Sequence, residues 1–210
     1  MPHSPRLYHR PVKLTNQQLE SFIGGQDPAL MQEAAYRCAQ TLLQAGQGSN
    51  QLVRQRVIRF TDEYGIEPLA QLWQQAPANS LPGALWRIYS LAETIRNKAS
   101  SISNYYTVGK TSHWGNQLLA GVADPASKTE IINTTNQILS GAFTGEFDTA
   151  LERFAAFARI VASGQEKTAQ ELETKDYRRS QTLRAQARKL TKTAIELEKA
   201  ATSWRANTLG

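Results

Sequence analysis

The stretch LPGALWRIYSLAETIRNKASSISNYY, residues 81 to 106, decides the fold class of this chain. Its apolar residues alternate steps of four and three, the spacing that places side chains on one face of an α-helix. They are Leu81, Leu85, Ile88, Ala92, Ile95, Ala99, Ile102 and Tyr106. Ser80 stands directly before the run, where a serine side chain can cap a helix. The pattern predicts one helix of up to about 26 residues, with a weak point in the Ser-rich run from 99 to 103.

Helix signals continue on both sides of this stretch. Upstream, N-cap residues, first-turn prolines and terminal glycines predict helices over about 15–23, 28–45 and 52–64, and a short one beginning at Glu67-Pro68. Downstream, the same signals predict a helix over about 128–140, and one capped by Thr144 and ended by Gly164. Residues 103–127 are difficult to assign, apart from a short helix near 114–119.

The last helix, predicted over about 166–206, carries a seven-residue repeat. Its large members are Leu183, Leu190, Leu197 and Trp204, and Ala187, Ala194 and Ala201 occupy the second core position. Leu and Ala in this pattern are typical of a close-packed helix seam, because alanine lets two backbones approach. The seam packs either on the chain's own body or on a partner, which includes a second copy of the chain. Between 173 and 182 the apolar stripe lapses, which predicts a kink or an exposed bridge.

The sequence therefore predicts an all-α protein, a bundle of about seven or eight helices with a long, basic C-terminal helix. We divide it into a basic N-terminal arm over residues 1–14, a helical bundle domain over 15–164 and the long helix over 165–210. A chain of 210 residues is long enough to bury a substantial core.

Four stretches carry a family likeness. They are YHRP at 8–11, VIRFTDEYG at 57–65, SLPGALWRIYSL at 80–91 and EFDTALERFAAFARIVASG at 146–164. They resemble a family of small, uncharacterised helical proteins of actinobacteria. The resemblance implies an all-helical cytoplasmic protein, and it brings no activity and no catalytic residues.

Composition argues against several classes of protein. The single cysteine, Cys38, excludes a disulfide scaffold within the chain. His3, His9 and His113 are the only histidines, and no pair of them has metal-ligand spacing, so we predict no metal and no cofactor. No apolar run approaches the roughly 18 residues of a membrane span, and the first 20 residues lack a secretory signal. We expect a cytoplasmic protein without membrane contact.

Positive charge is concentrated in one short window. The chain has 24 Lys and Arg against 18 Asp and Glu, a formal net charge of +6. Residues 175–192 hold seven of these cations and a single acid, so this window alone accounts for the net charge. On a helix, five of the cations lie opposite the Leu/Ala seam: Arg178, Arg184, Arg188, Lys189 and Lys192. These five either contact a partner or the phosphates of a nucleic acid, or they form the solvated face of a helix that only packs on the body.

Three functions are compatible with the sequence. The first is a non-enzymatic helical protein-interaction module that uses the seam or the basic face. The second is a nucleic-acid-binding protein that contacts phosphates through residues 175–192. The third is an enzyme for a small anion, with a pocket near Trp86, Arg87, Lys110 and His113.

Overall fold

The computed structural model describes residues 28–46, 67–110, 127–143 and 145–210, and within them the regular secondary structure is all helical. Seven helices follow one another in the described residues: α1 Pro28–Gly46, α2 Glu67–Trp73, α3 Leu81–Asn97, α4 Ala99–Gly109, α5 Lys128–Phe143, α6 Phe147–Leu172 and α7 Tyr177–Arg205. The all-α prediction is confirmed. The predicted N-terminal arm and the helices predicted at 15–23, 52–64 and 114–119 lie outside the described residues.

The apolar stripe of the opening stretch forms the centre of the core. All eight of its residues, from Leu81 to Tyr106, are buried. The stripe does not form one continuous helix of 26 residues: the chain leaves helical geometry at Lys98, directly before the weak run that the sequence indicates, and Lys98 separates α3 from α4. The break precedes the Ser-rich run, whose hydroxyl side chains compete with the helical backbone for hydrogen bonds. Helix α4 lies mainly on α6, whereas α3 contacts α6 only slightly and packs mainly on α5, α1, α2 and α7.

Gly164 lies inside a helix, so the prediction that it ends one is wrong. A Cβ atom at Gly164 would lie 1.8 Å from the carbonyl oxygen of Tyr105, and one at Gly109 would lie 1.9 Å from that of Ile160. The backbones of α4 and α6 therefore touch where they cross. Glycine is required at this crossing because no other residue leaves room for the neighbouring carbonyl.

The C-terminal half of the fold is a hairpin of two long helices. Helix α6 continues to Leu172, and α7 begins after Asp176, whose side chain accepts a hydrogen bond from the Arg179 amide at 3.0 Å. The predicted helix over 166–206 is therefore wrong at its start, and residue 165 falls within α6. The lapse in the apolar stripe marks the turn. Beyond it, the Ser180 hydroxyl donates to the Ala169 carbonyl at 2.8 Å and joins the two arms.

The Leu/Ala seam packs inside the chain. Leu183, Leu197 and the three alanines of the repeat are at most 4% exposed, while Leu190 and Trp204 are half-buried against the same core. The Trp204 ring meets Phe147 of α6 edge-on, with 5.0 Å between ring centroids. Helix α6 provides the largest part of the surface that covers the seam, and α3 adds a smaller contact.

Of the helix caps predicted from sequence, one is confirmed and one is wrong. Ser80 caps α3 as predicted, its hydroxyl oxygen accepting from the Gly83 amide at 3.2 Å. Helix α6 has Glu146 at its cap position, so the prediction that Thr144 caps it is wrong. Ser127 and Glu130 begin α5 with a reciprocal capping box, each side chain accepting from the other's amide.

Replacing Gly164 with alanine tests the helix crossing. We expect Gly164→Ala to lower the free energy of unfolding by about 1–3 kcal/mol or more, because the added methyl group forces α4 away from α6. Gly141→Ala in α5 is the matched control, since its nearest contact would be an ordinary 3.7 Å to a Glu146 carboxylate oxygen. There we expect no loss and a gain of up to about 1 kcal/mol from helix propensity. Urea denaturation of both variants measures the difference, and equal stabilities would contradict the crossing.

Candidate functional site

Two arginines of α7 form ion pairs with acids of α6 and of the turn that follows it. Arg184 lies 3.0 Å from Glu173 and 3.4 Å from Glu166, measured between side-chain nitrogen and oxygen. Arg205 lies 2.6 Å from both Asp148 and Glu152. These contacts join opposite ends of α7 to α6, so they help to fix the face that α7 turns outward.

In a further ion pair of the hairpin, the arginine belongs to α6 and the acid to α7. Arg159 of α6 donates two hydrogen bonds to the carboxylate of Glu198 in α7, at 2.6 and 2.7 Å. The hydrogen bond to Glu198 raises the pKa of Arg159 above its ordinary value. Two-point contacts of this kind fix orientation as well as distance.

Arg184 thus differs from the other four cations that the sequence placed opposite the seam. Its side chain is only 21% exposed and has two acidic partners. Hydrogen bonding to Arg184 lowers the pKa of the Glu173 carboxyl below its ordinary value, which keeps that carboxylate charged. Angular position on a helix could not show this, because the acids come from α6 and from the turn.

The remaining four cations form what we call the outer face of α7: Arg178, Arg188, Lys189 and Lys192, all exposed. Within the described residues, neither Arg178 nor Arg188 nor Lys189 has an acid in ion-pair range. The Lys192 side chain is 79% exposed, and its ammonium lies 3.9 Å from Glu196. At about 1.5 Å of rise per residue, the outer face extends over roughly 21 Å.

A groove of about 410 Å³ lies beside the outer face, between α3 and α7. Its residues on α3 are Trp86, Arg87, Ser90, Leu91 and Thr94, and on α7 they are Lys189, Leu190, Lys192, Thr193 and Glu196. Arg87 bridges the two helices, with its Nε 2.6 Å from a Glu196 carboxylate oxygen and its Nη1 donating to the Gly83 carbonyl at 2.9 Å. Ion-pairing with Arg87 largely offsets the charge of the Glu196 carboxylate.

The pocket predicted from sequence is only partly assembled. Trp86 and Arg87 line the groove, whereas Lys110 lies at the end of α4 and is not among its lining residues. His113 is outside the described residues. Sequence reasoning missed the contribution of α7 to this groove. The spacing of Lys189, Lys192 and Glu196 places them on one side of a helix, but nothing in the sequence pairs that side with Trp86.

The predicted partner seam and the predicted basic face thus have different environments. Leu183 and Leu197 are in the interior, and Leu190 and Trp204 are packed against it. The cations of the outer face are in solvent.

The described residues offer few candidates for a metal site, a reactive cysteine or a membrane span. No group of three or more His, Cys, Asp or Glu lies together there as metal ligands would. Burial raises the pKa of the Cys38 thiol, which disfavours the reactive thiolate. No described helix is long and apolar enough to cross a membrane.

Comparisons of the chain with models of known protein families, with curated proteins and with solved structures find no match.

Acid should remove part of the attachment of α7. Arg205 lowers the pKa of Asp148 below its ordinary value of 3.8, chiefly through a side-chain hydrogen bond. A carboxyl whose pKa is lower in the folded state stabilises the fold above its unfolded pKa, and this contribution disappears as the pH falls through the folded pKa. We therefore expect Asp148→Asn to melt at a lower temperature than the wild type near pH 7. The difference should shrink as the pH falls below 3.8 and through the lower pKa that Asp148 has in the folded state. A constant difference across thermal melts from neutral to acid pH would contradict the ion pair.

Proposed function

We propose that this protein binds nucleic acid through the phosphate backbone, using the outer face of α7. The observation that carries the proposal is the row of four exposed cations along one side of a helix that is held in place by its buried seam. Phosphate contacts need accessible positive charge on a firm support, and they supply most of the affinity of non-specific nucleic-acid binding.

The burial of the seam favours this function over a protein-interaction module. A seam that is already covered by α6 and α3 needs no partner to hide its apolar surface. The only large hydrophobic side chains that α7 exposes are Tyr177 and Ile195, at 64% and 39%. Protein interfaces usually have a core depleted of charge, whereas the outer face is mainly cationic.

The ion pairs of Arg184 set the size of the expected electrostatic effect. With Arg184 engaged by acids, four cations remain to neutralise phosphates. Four such contacts give a slope of log affinity against log salt concentration of about −3.6 on duplex DNA and about −2.8 on a single strand. Binding should therefore weaken strongly between low and physiological salt.

Charge reversal on the outer face tests the proposal. We expect the double variant Arg178→Glu, Arg188→Glu to weaken nucleic-acid binding at low salt by at least about tenfold and to flatten the salt dependence. Fluorescence anisotropy with a labelled single-stranded RNA and a labelled DNA duplex of equal length, each titrated at two salt concentrations, measures both effects.

A second double variant supplies the control. Arg37→Glu with Lys128→Glu changes the net charge by the same amount, but it does so on α1 and α5, which pack on α3. This control should bind within about twofold of the wild type. If both variants lost the same amount of nucleic-acid affinity, the loss would come from net charge alone, and this would contradict a site on the outer face. No binding by the wild type at low salt would overturn the proposal.

A further inference from the structure

We infer that the groove between α3 and α7 receives one unstacked nucleotide of a single-stranded nucleic acid, with its base on Trp86 and its phosphate between Lys189 and Lys192. The inference rests on the proposed function and specifies it further, since it names a single strand as the preferred ligand.

The two walls of the groove have complementary chemistry. On α3, the indole of Trp86 is followed at four-residue intervals by the hydroxyl side chains of Ser90 and Thr94, so all three lie on one face. On α7, Lys189 and Lys192 supply positive charge at the same groove. An aromatic surface facing cations is the combination that binds a base and its phosphate without regard to sequence.

Trp86 lines the groove while it also packs against the core. It is half-buried, and its ring packs at 6.1 Å between centroids from Tyr89, which is only 8% exposed. A ring that is fixed by its neighbours and still reaches a groove loses little freedom when a base stacks on it.

The groove is continuous with the outer face. Lys189 and Lys192 belong to both, so a backbone that follows Arg178 and Arg188 along α7 passes the mouth of the groove. Among the described residues that line the groove, Glu196 is the only carboxylate, and it is held by Arg87 and Lys192. This leaves an excess of positive charge at the site where a phosphate would lie.

Stacking on Trp86 requires a base with a free face. Within a duplex, the neighbouring base pairs cover both faces of each base, whereas a single strand can turn one base out at low cost. The cavity, at about 410 Å³, is within the size range of sites that enclose one small ligand. A single strand should therefore bind more tightly than a duplex of the same length.

The test uses the full chain and a labelled oligouridylate, a labelled oligothymidylate and a DNA duplex of equal length. Thr94→Glu places a carboxylate in the groove at an exposed position, and we expect it to weaken single-strand binding about fivefold. Thr107→Glu is the matched control, because Thr107 is an exposed threonine of α4 away from the groove. It should bind as the wild type does. Comparing the two oligonucleotides tells whether RNA or DNA is preferred.

Trp86 also provides a direct spectroscopic signal. We expect a single strand to quench the tryptophan fluorescence of the wild type, and we expect that quenching to disappear in Trp86→Phe. The phenyl ring can still stack, so the affinity measured by anisotropy should stay within about threefold. Trp86→Ala, checked for folding by circular dichroism, should weaken single-strand binding about tenfold.

The outcomes separate this inference from the proposed function. Suppose that salt-dependent binding is lost in the Arg178, Arg188 double variant but is unchanged in Thr94→Glu and in Trp86→Ala, and that Trp86→Phe is quenched as strongly as the wild type. This result would overturn the inference about the groove and leave the proposed function standing. A duplex that binds as tightly as the single strands would also overturn the inference that the groove receives an unstacked nucleotide. No binding of any nucleic acid would overturn both.

Discussion

The packing of α6 against α7 is the contact on which the rest of the structure depends. Leucine and alanine alternate along α7, and the small side chains let it lie close to α6 over most of its length. Once this seam is buried, the rotation of α7 about its own axis is fixed. Its opposite side must then face solvent, and its flank must face α3. The exposed cations and the groove are both consequences of that one rotation.

Ion pairs on the edge of the seam divide the charge of α7. Acids occur on α6 and its turn at Asp148, Glu152, Glu166 and Glu173, where they meet arginines of α7. The cations of the outer face meet none of these acids. The same basic helix therefore has some charges that hold the fold together and others that are free to attract an anionic partner. In the function that we propose, the buried seam supports the exposed charge, since a phosphate contact is stronger when its support does not move.

The local patterns of the sequence succeeded where a single helix decides the outcome. The spacing of Leu81 to Tyr106 predicts the buried stripe, and Ser80 predicts the start of α3, because both depend on residues within a few turns. The ends of helices were harder to predict from the sequence. Gly46 ends α1, yet Gly164 lies within α6, where it makes room for the Tyr105 carbonyl. A glycine permits either role, and only the neighbouring helix decides between them.

The candidate site shows the same division between sequence and structure. By itself, the sequence determined the all-helical class, the seam and the cluster of cations opposite it, because periodicity within one helix fixes which residues share a side. Only the tertiary structure decided that the chain's own α6 covers the seam and that Arg184 forms ion pairs with acids. It also decided that Trp86 and Lys189 line the same groove. The physical reason is that each of these depends on how two helices distant in sequence are aligned. Helical periodicity carries no information about the axial position of one helix against another.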